Sequence, residues 1–239
     1  MKIPVYIIHG SLGSGKTTVL GKMLNHPSFS KSLIIENEFA DYNFDSGMFE
    51  GHSHEIEVRG ISGGCICCSS SEELFTVLDQ VGKDVPSVVI ETSGVTNSMA
   101  LVKKLIISQQ FNDKFEIVKN VMLVDLQTVP SSLESKKLDL LLSDIVVLNK
   151  KDLSSPDKIS EFERIVEKYT NASIVIFDRD TDLKELVVNL LKVGVSNSQE
   201  NLKKTLLEGG LVDHQNELIY QVIYPTKEVE KDDLLNAIR

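Results

Sequence analysis

Residues 10–18 read Gly-Ser-Leu-Gly-Ser-Gly-Lys-Thr-Thr and fit the pattern G-x-x-x-x-G-K-[ST]. Such a loop works only between a strand and a helix. Its glycines let backbone amides curl around a phosphate, and the helix that follows points the positive end of its dipole at the same oxygens. The flanking sequence complies. An apolar, β-branched run over 5–9 precedes the loop, and a helical pattern over 16–25 follows it. The amino-terminal part of the chain is thereby committed to a strand–loop–helix unit. Gly10, Gly13, Ser14, Gly15, Lys16, Thr17 and Thr18 are committed to a phosphate group. In this pattern Lys16 bridges the β- and γ-phosphates and Thr17 gives its hydroxyl to Mg²⁺.

The rest of the chain repeats the unit. Strands are expected over 32–37, 87–91, 118–125, 145–149 and 173–177. Helices are expected over 72–81, with Ser70 and Glu73 as a capping box, and over 97–110, 131–142, 156–169 and 182–193. Alternation of helices with wholly apolar strands means a parallel sheet covered on both faces. The expected fold is therefore α/β, a P-loop NTPase with a mostly parallel sheet, helices on both faces and a short carboxy-terminal βα extension. Residues 39–54 are polar and aperiodic and read as a long, functional loop. The expected division is a GTPase domain over 1–193, a polar linker over 194–216 and the start of a reduced or truncated second domain over 217–239. Ligands of such sheets sit at the carboxyl ends of the strands. Each motif below falls just past one of those ends.

Asn149-Lys150-Lys151-Asp152 follows the apolar run 145–148. The carboxylate of Asp152 can accept from the ring N–H and the exocyclic amine of guanine, a donor pair that adenine lacks. Asn149 can contact the other edge of the base, and the aliphatic stem of Lys150 can cover its plane. The nucleotide expected is GTP/GDP, and a small-molecule P-loop kinase is the rival that an ATP/GTP competition separates. Glu91 and Gly94, in Glu91-Thr92-Ser93-Gly94, end another apolar run. Glu91 would hold Mg²⁺ through water and the Gly94 amide would sense the γ-phosphate. The blander role for Glu91 is a cap on the following helix. No glutamine is evidently placed to orient water, so slow intrinsic hydrolysis is expected.

The only cysteines, Cys65, Cys67 and Cys68, cluster behind Gly63 and Gly64. Such clustering points to a soft-metal site rather than a disulfide framework. In extended backbone Cys65 and Cys67 share a side, and the proposed helix start near Ser70 lowers thiol pKa. Thiolates take Zn²⁺, Cu(I) or other borderline metals, and three of them leave one tetrahedral position open. Glu38, Asp41, His52 and His54 are the candidates for that position. A redox thiol pair is the rival reading of the cysteines. The net charge of −10 argues against a nucleic-acid partner. No apolar run reaches the ~20 residues of a membrane helix, and the first residues lead straight into the phosphate loop. A cytoplasmic protein is expected, and homo-oligomer formation is left open.

Taken together, GSLGSGKTT (10–18), IIENEFAD (34–41), GGCICC (63–68), VVIETSG (88–94) and NKKD (149–152) resemble the CobW-like GTPases, relatives of the nickel-insertion GTPases that mature urease and hydrogenase. The resemblance covers roughly residues 3–193. It implies a metal-binding GTPase acting as a metallochaperone or metal-insertase, with a client apo-metalloprotein or a cofactor enzyme as partner. The cargo would be zinc or another transition metal such as Co²⁺ or Ni²⁺. The family's metal residues fall on Cys65, Cys67 and Cys68, with Glu38 contributing. Two departures stand out. Ala40-Asp41 replaces the family's usual Gly-Glu, and only 218–239 resembles the start of the family's carboxy-terminal domain. Activation of a cobalamin-type enzyme, and a nucleotide-gated metal buffer without turnover, are the alternatives.

Overall fold

A computed structural model describes residues 2–36, 56–61, 71–94, 98–178 and 184–192. Its centre is a seven-stranded sheet in which every neighbouring pair is parallel. In chain order the strands are β1 (Ile3–Gly10), β2 (Leu33–Glu36), β3 (Glu57–Gly60), β4 (Val88–Glu91), β5 (Phe115–Asp125), β6 (Ile145–Asn149) and β7 (Ser173–Ile176). Across the sheet they lie β3-β2-β4-β1-β5-β6-β7. The described helices are α1 (Lys16–Leu24), α2 (Ser71–Asp79), α3 (Ser98–Ile107), α4 (Gln109–Lys114), α5 (Pro130–Glu134), α6 (Lys137–Leu142), α7 (Pro156–Tyr169) and α8 (Lys184–Leu191).

The inner strands β1, β4 and β6 are largely apolar because both faces are covered. On one face Val19, Leu20, Met23 and Leu24 of α1 and Leu186, Val187 and Leu190 of α8 close over Tyr6, Ile8, Val89 and Val147. On the other, Leu133, Leu140, Phe162, Ile165 and Val166 of α5–α7 close over Met122, Val124, Val146 and Leu148. Phe162 and Val147 are wholly buried.

Three local features differ from the sequence expectation. The strand β3 carries no apolar run. It is a charged strand, with Arg59 bonded to Glu57 at 2.7 Å, and among the described residues it lies at the sheet edge and pairs only with β2. The expected helix over 131–142 is broken at residues 135–136. The hydroxyls of Ser132 and Ser135 donate to the Val129 and Ser132 carbonyls at 2.6 and 2.7 Å, so side chains compete with helical bonding there. The helix expected over 97–110 stops at Ile107, because the Ser108 hydroxyl caps α4 by accepting from the Phe111 amide. The expected loop over 39–54 and the 194–216 and 217–239 segments lie outside the described residues, as do Glu38, Asp41, His52, His54, Cys65, Cys67 and Cys68.

Candidate functional site: the carboxyl edge of the sheet

The phosphate loop joins β1 to α1 with three glycines at positive φ: Gly10 at 145°, Gly13 at 75° and Gly15 at 90°. The turn requires two of them outright. A Cβ on Gly10 would collide with the Leu123 carbonyl, and one on Gly15 with the side-chain amide of Asn149. Lys16 is buried, and its ammonium donates to the Gly10 and Ser11 carbonyls at 3.3 Å each. The lysine that would meet the β- and γ-phosphates is thus folded back over the loop that would hold them.

Two motifs distant in sequence converge on this loop. The Thr17 hydroxyl donates to Glu91 Oε1 at 2.9 Å, bringing a hydroxyl and a buried carboxylate to one point at the start of α1. That donor pair is a hard-oxygen set suited to Mg²⁺. Thr92, the residue after Glu91, donates its amide to the Ile8 carbonyl at 2.9 Å, which fixes the turn beside β1. Gly94 follows against the loop, where a Cβ would strike the backbone of Leu12. From the other side the Asn149 amide donates to the Ser14 carbonyl at 2.8 Å. Asn149 therefore ties the base loop to the phosphate loop before any base is bound. Asp152 is exposed, in the turn Lys151–Leu153 just beyond. Thr18 is exposed on α1.

Sequence pattern missed three neighbours. The ammonium of Lys136, at the break between α5 and α6, lies 2.6 Å from the Ser11 hydroxyl. The Lys150 ammonium lies 2.6 Å from Asp125 Oδ2, at the end of β5. His9, just ahead of Gly10, is buried, and its Nε2 has no hydrogen-bond partner among the described residues. Burial pushes the His9 imidazole down to about 4; the nearby Asp139 carboxylate opposes this, while Lys136 and Lys16 reinforce it. Neither Lys136 nor Asp125 belongs to a local motif, and only the fold brings them to the site, whereas His9 adjoins the loop in sequence.

Along the carboxyl edge the order is now complete. The chain leaves β2 at Glu36, in register with Glu91 of β4. It leaves β3 after Gly60, in register with Glu36, and the Ile61 amide donates to the Glu36 carbonyl at 2.8 Å. Next come the Glu91 end of β4, the phosphate loop after β1, Asp125 after β5 and Asn149 after β6. A glycine loop on a helix start, a lysine and a Thr–carboxylate pair define a P-loop nucleotide-binding protein of the α/β type.

The particular family follows from comparison. The chain belongs to the CobW/HypB/UreG family, whose nucleotide-binding-domain description matches residues 4–177. It is similar to the zinc-regulated GTPase metalloprotein activator 1 of Dictyostelium discoideum, 27% identical over 206 residues, covering 70% of this chain and 43% of that protein. It is also similar to the zinc chaperone CobW of Pseudomonas aeruginosa, 34% identical over 134 residues, covering 52% of this chain and 34% of that one. The chain thus spans less than half the length of these relatives. The crystal structure of the hydrogenase maturation factor HypB from Archaeoglobus fulgidus superposes with a TM-score of 0.60 at 17% identity, covering 79% of this chain and 88% of that one, a likeness of fold. Among the described residues, no helix is long and apolar enough to cross a membrane.

Proposed function

We propose that the chain is a GTP-hydrolysing metallochaperone that carries zinc, or another transition metal, at Cys65, Cys67 and Cys68 and passes it to a client apo-metalloprotein. The names of the two relatives support a zinc-linked GTPase role, and the family supports the nucleotide. The observation that carries the coupling is the edge order. The segment bearing Glu38 and Asp41 starts at Glu36, opposite Glu91, and the cysteine segment starts one strand further on. Strands lie about 4.8 Å apart, so both segments originate within roughly 10 Å of the Glu91 strand end.

In this reading Asn149 and Asp152 select guanine and the Lys150 stem lies along its plane. Lys16 exchanges the Gly10 and Ser11 carbonyls for phosphate oxygens. Thr17 and Glu91 would hold Mg²⁺, which would supply charge neutralisation to the phosphate oxygens. Water attacks the γ-phosphorus, the bond to the bridging oxygen breaks, and GDP and phosphate leave. Glu91 is both a magnesium holder and a neighbour of the β2 exit, so gain and loss of the γ-phosphate reach the metal-bearing segments through it. No glutamine falls in a sequence motif that would orient the attacking water, so slow intrinsic turnover is expected.

The test is a zinc and a cobalt titration of the metal-free protein, with and without a non-hydrolysable GTP analogue. It is repeated on the variant carrying Cys65→Ser, Cys67→Ser and Cys68→Ser. The triple variant is expected to lose the tight site, and the analogue to shift wild-type metal affinity by about fivefold or more. Equal metal affinity in every nucleotide state would remove the coupling.

A further inference from the structure

The base-reading loop is braced from the β5 side by a group outside the N-K-x-D motif. Lys150 holds left-handed backbone at φ 67°, a conformation disfavoured for any residue with a side chain. Two bonds hold it there. Its amide donates to Asn149 Oδ1 at 2.7 Å, and its ammonium meets Asp125 Oδ2 at 2.6 Å. Asp125 stands opposite Asn149 in the β5–β6 register. The Asp125 side chain is 11% exposed and that of Lys150 33%, so the pair is shielded well beyond an ordinary surface contact. The carboxylate cannot swing away, because Asp125 Oδ1 accepts from the Gln127 amide at 2.8 Å. The Gln127 side chain in turn donates to the Leu153 carbonyl at 2.7 Å and to the Ser154 hydroxyl at 2.9 Å. The Leu126 amide donates to the Asn149 carbonyl at 3.1 Å. The short turn after β5 thus grips the base loop at both ends, and Asp125 grips its lysine.

We propose that Asp125 is a positioning residue for guanine recognition: by pinning the Lys150 ammonium it fixes the lysine's aliphatic stem as one wall of the base site before nucleotide arrives. A lysine stem samples many rotamers, and ordering it on binding costs affinity. A stem anchored at both ends is already ordered. The proposal rests on the guanine reading of Asn149 and Asp152 and adds a residue to it.

Asp125→Asn separates positioning from simple support. The amide keeps the shape of the carboxylate but has one oxygen, which can serve the Gln127 amide or the Lys150 ammonium and not both. Lys150→Met keeps the apolar stem and removes the ammonium. The full chain and the variants are titrated with Mg-GTP, Mg-GDP, Mg-ATP and Mg-tripolyphosphate, which lacks a base.

Asp125→Asn is expected to weaken GTP and GDP by about five- to tenfold. Tripolyphosphate affinity should stay within about twofold of wild type. In the Lys150→Met background Asp125→Asn should add nothing, because the two changes remove one interaction. Should Asp125→Asn melt well below the wild type, Asp125→Glu measured with and without Lys150→Met reads the same coupling. Equal losses for tripolyphosphate, additive losses in the two backgrounds, or no loss at all would overturn the assignment. A wild type that binds GTP no better than ATP or tripolyphosphate would overturn the guanine reading itself, which the wild-type titrations alone reveal.

Discussion

A single methyl group at Gly15 is enough to pull the base loop from the phosphate loop. A Cβ there strikes the Asn149 amide, which bonds the Ser14 carbonyl, and φ 90° strains any L side chain. Gly15→Ala is expected to lower GTP and GDP affinity together by at least about tenfold, since about 1–3 kcal/mol of strain falls on both loops; fluorescent-nucleotide titration measures this. His9 carries a different liability. Its imidazole is buried and its pKa falls from 6.5 to about 4, so the folded protein resists a proton that the unfolded chain accepts. Stability from this residue is complete above the unfolded value of 6.5 and drains away as pH falls toward 4. Between pH 7 and pH 5 the drop is about 2 kcal/mol. Urea unfolding at both pH values should show the drop in the wild type and a much smaller one in His9→Asn. Equal slopes would mean that His9 is not the group that must charge.

At the scale of elements, legibility in the sequence follows from what holds each element. The strands β1, β4 and β6 are read as unbroken apolar runs because helices cover both of their faces, and the structure has them where the sequence put them. The edge strand β3 escaped because backbone pairing to one neighbour, not apolar burial, makes Glu57–Gly60 a strand. The expected helix over 131–142 keeps its apolar spacing, as buried Leu133, Leu140 and Leu142 attest, yet serine hydroxyls break its backbone between them. The break places Lys136 where its ammonium reaches the Ser11 hydroxyl. Motif residues such as Lys16, Thr17, Glu91 and Asn149 stand out in the sequence because each falls in a short pattern at a strand end, and the fold brings them to one edge of the sheet. Lys136 and Asp125 do not, because nothing local marks a contact that only the sheet order creates. Lys136→Met keeps the stem and removes the bond to Ser11. It should leave the melting temperature within a few degrees and weaken nucleotide about fivefold, the worth of one partly exposed charge-assisted bond. Lys16→Met, titrated beside it, should cost far more. An unchanged affinity in Lys136→Met would reduce its contact to a surface feature.

At the scale of the sheet, strand order sets the sequence of chain exits along the carboxyl edge: the segments proposed to bear metal leave β3 and β2, followed by the Glu91 end of β4, the phosphate loop of β1 and the N-K-x-D turn of β6. A parallel sheet makes this arrangement cheap, since every strand delivers its following segment to the same edge. Under the proposed coupling, Glu91 is the pivot. On one side its carboxylate holds the Thr17 hydroxyl, and on the other it is in register with Glu36, from which the Glu38 segment starts. If nucleotide and transition metal communicate through this strand end, removing the Glu91 charge should break the link while sparing both partners. Glu91→Gln keeps an oxygen for Thr17 and the shape of the side chain. Zinc affinity in the absence of nucleotide should therefore match the wild type, and GDP should bind within a few-fold of it. The shift in zinc affinity produced by the GTP analogue should shrink toward unity. Because coupling is reciprocal, the effect of zinc on analogue affinity should shrink by the same factor, and calorimetric titration in both orders measures the two. A variant that keeps the full shift would place the communication elsewhere, in contacts that bypass the β2–β4 pair.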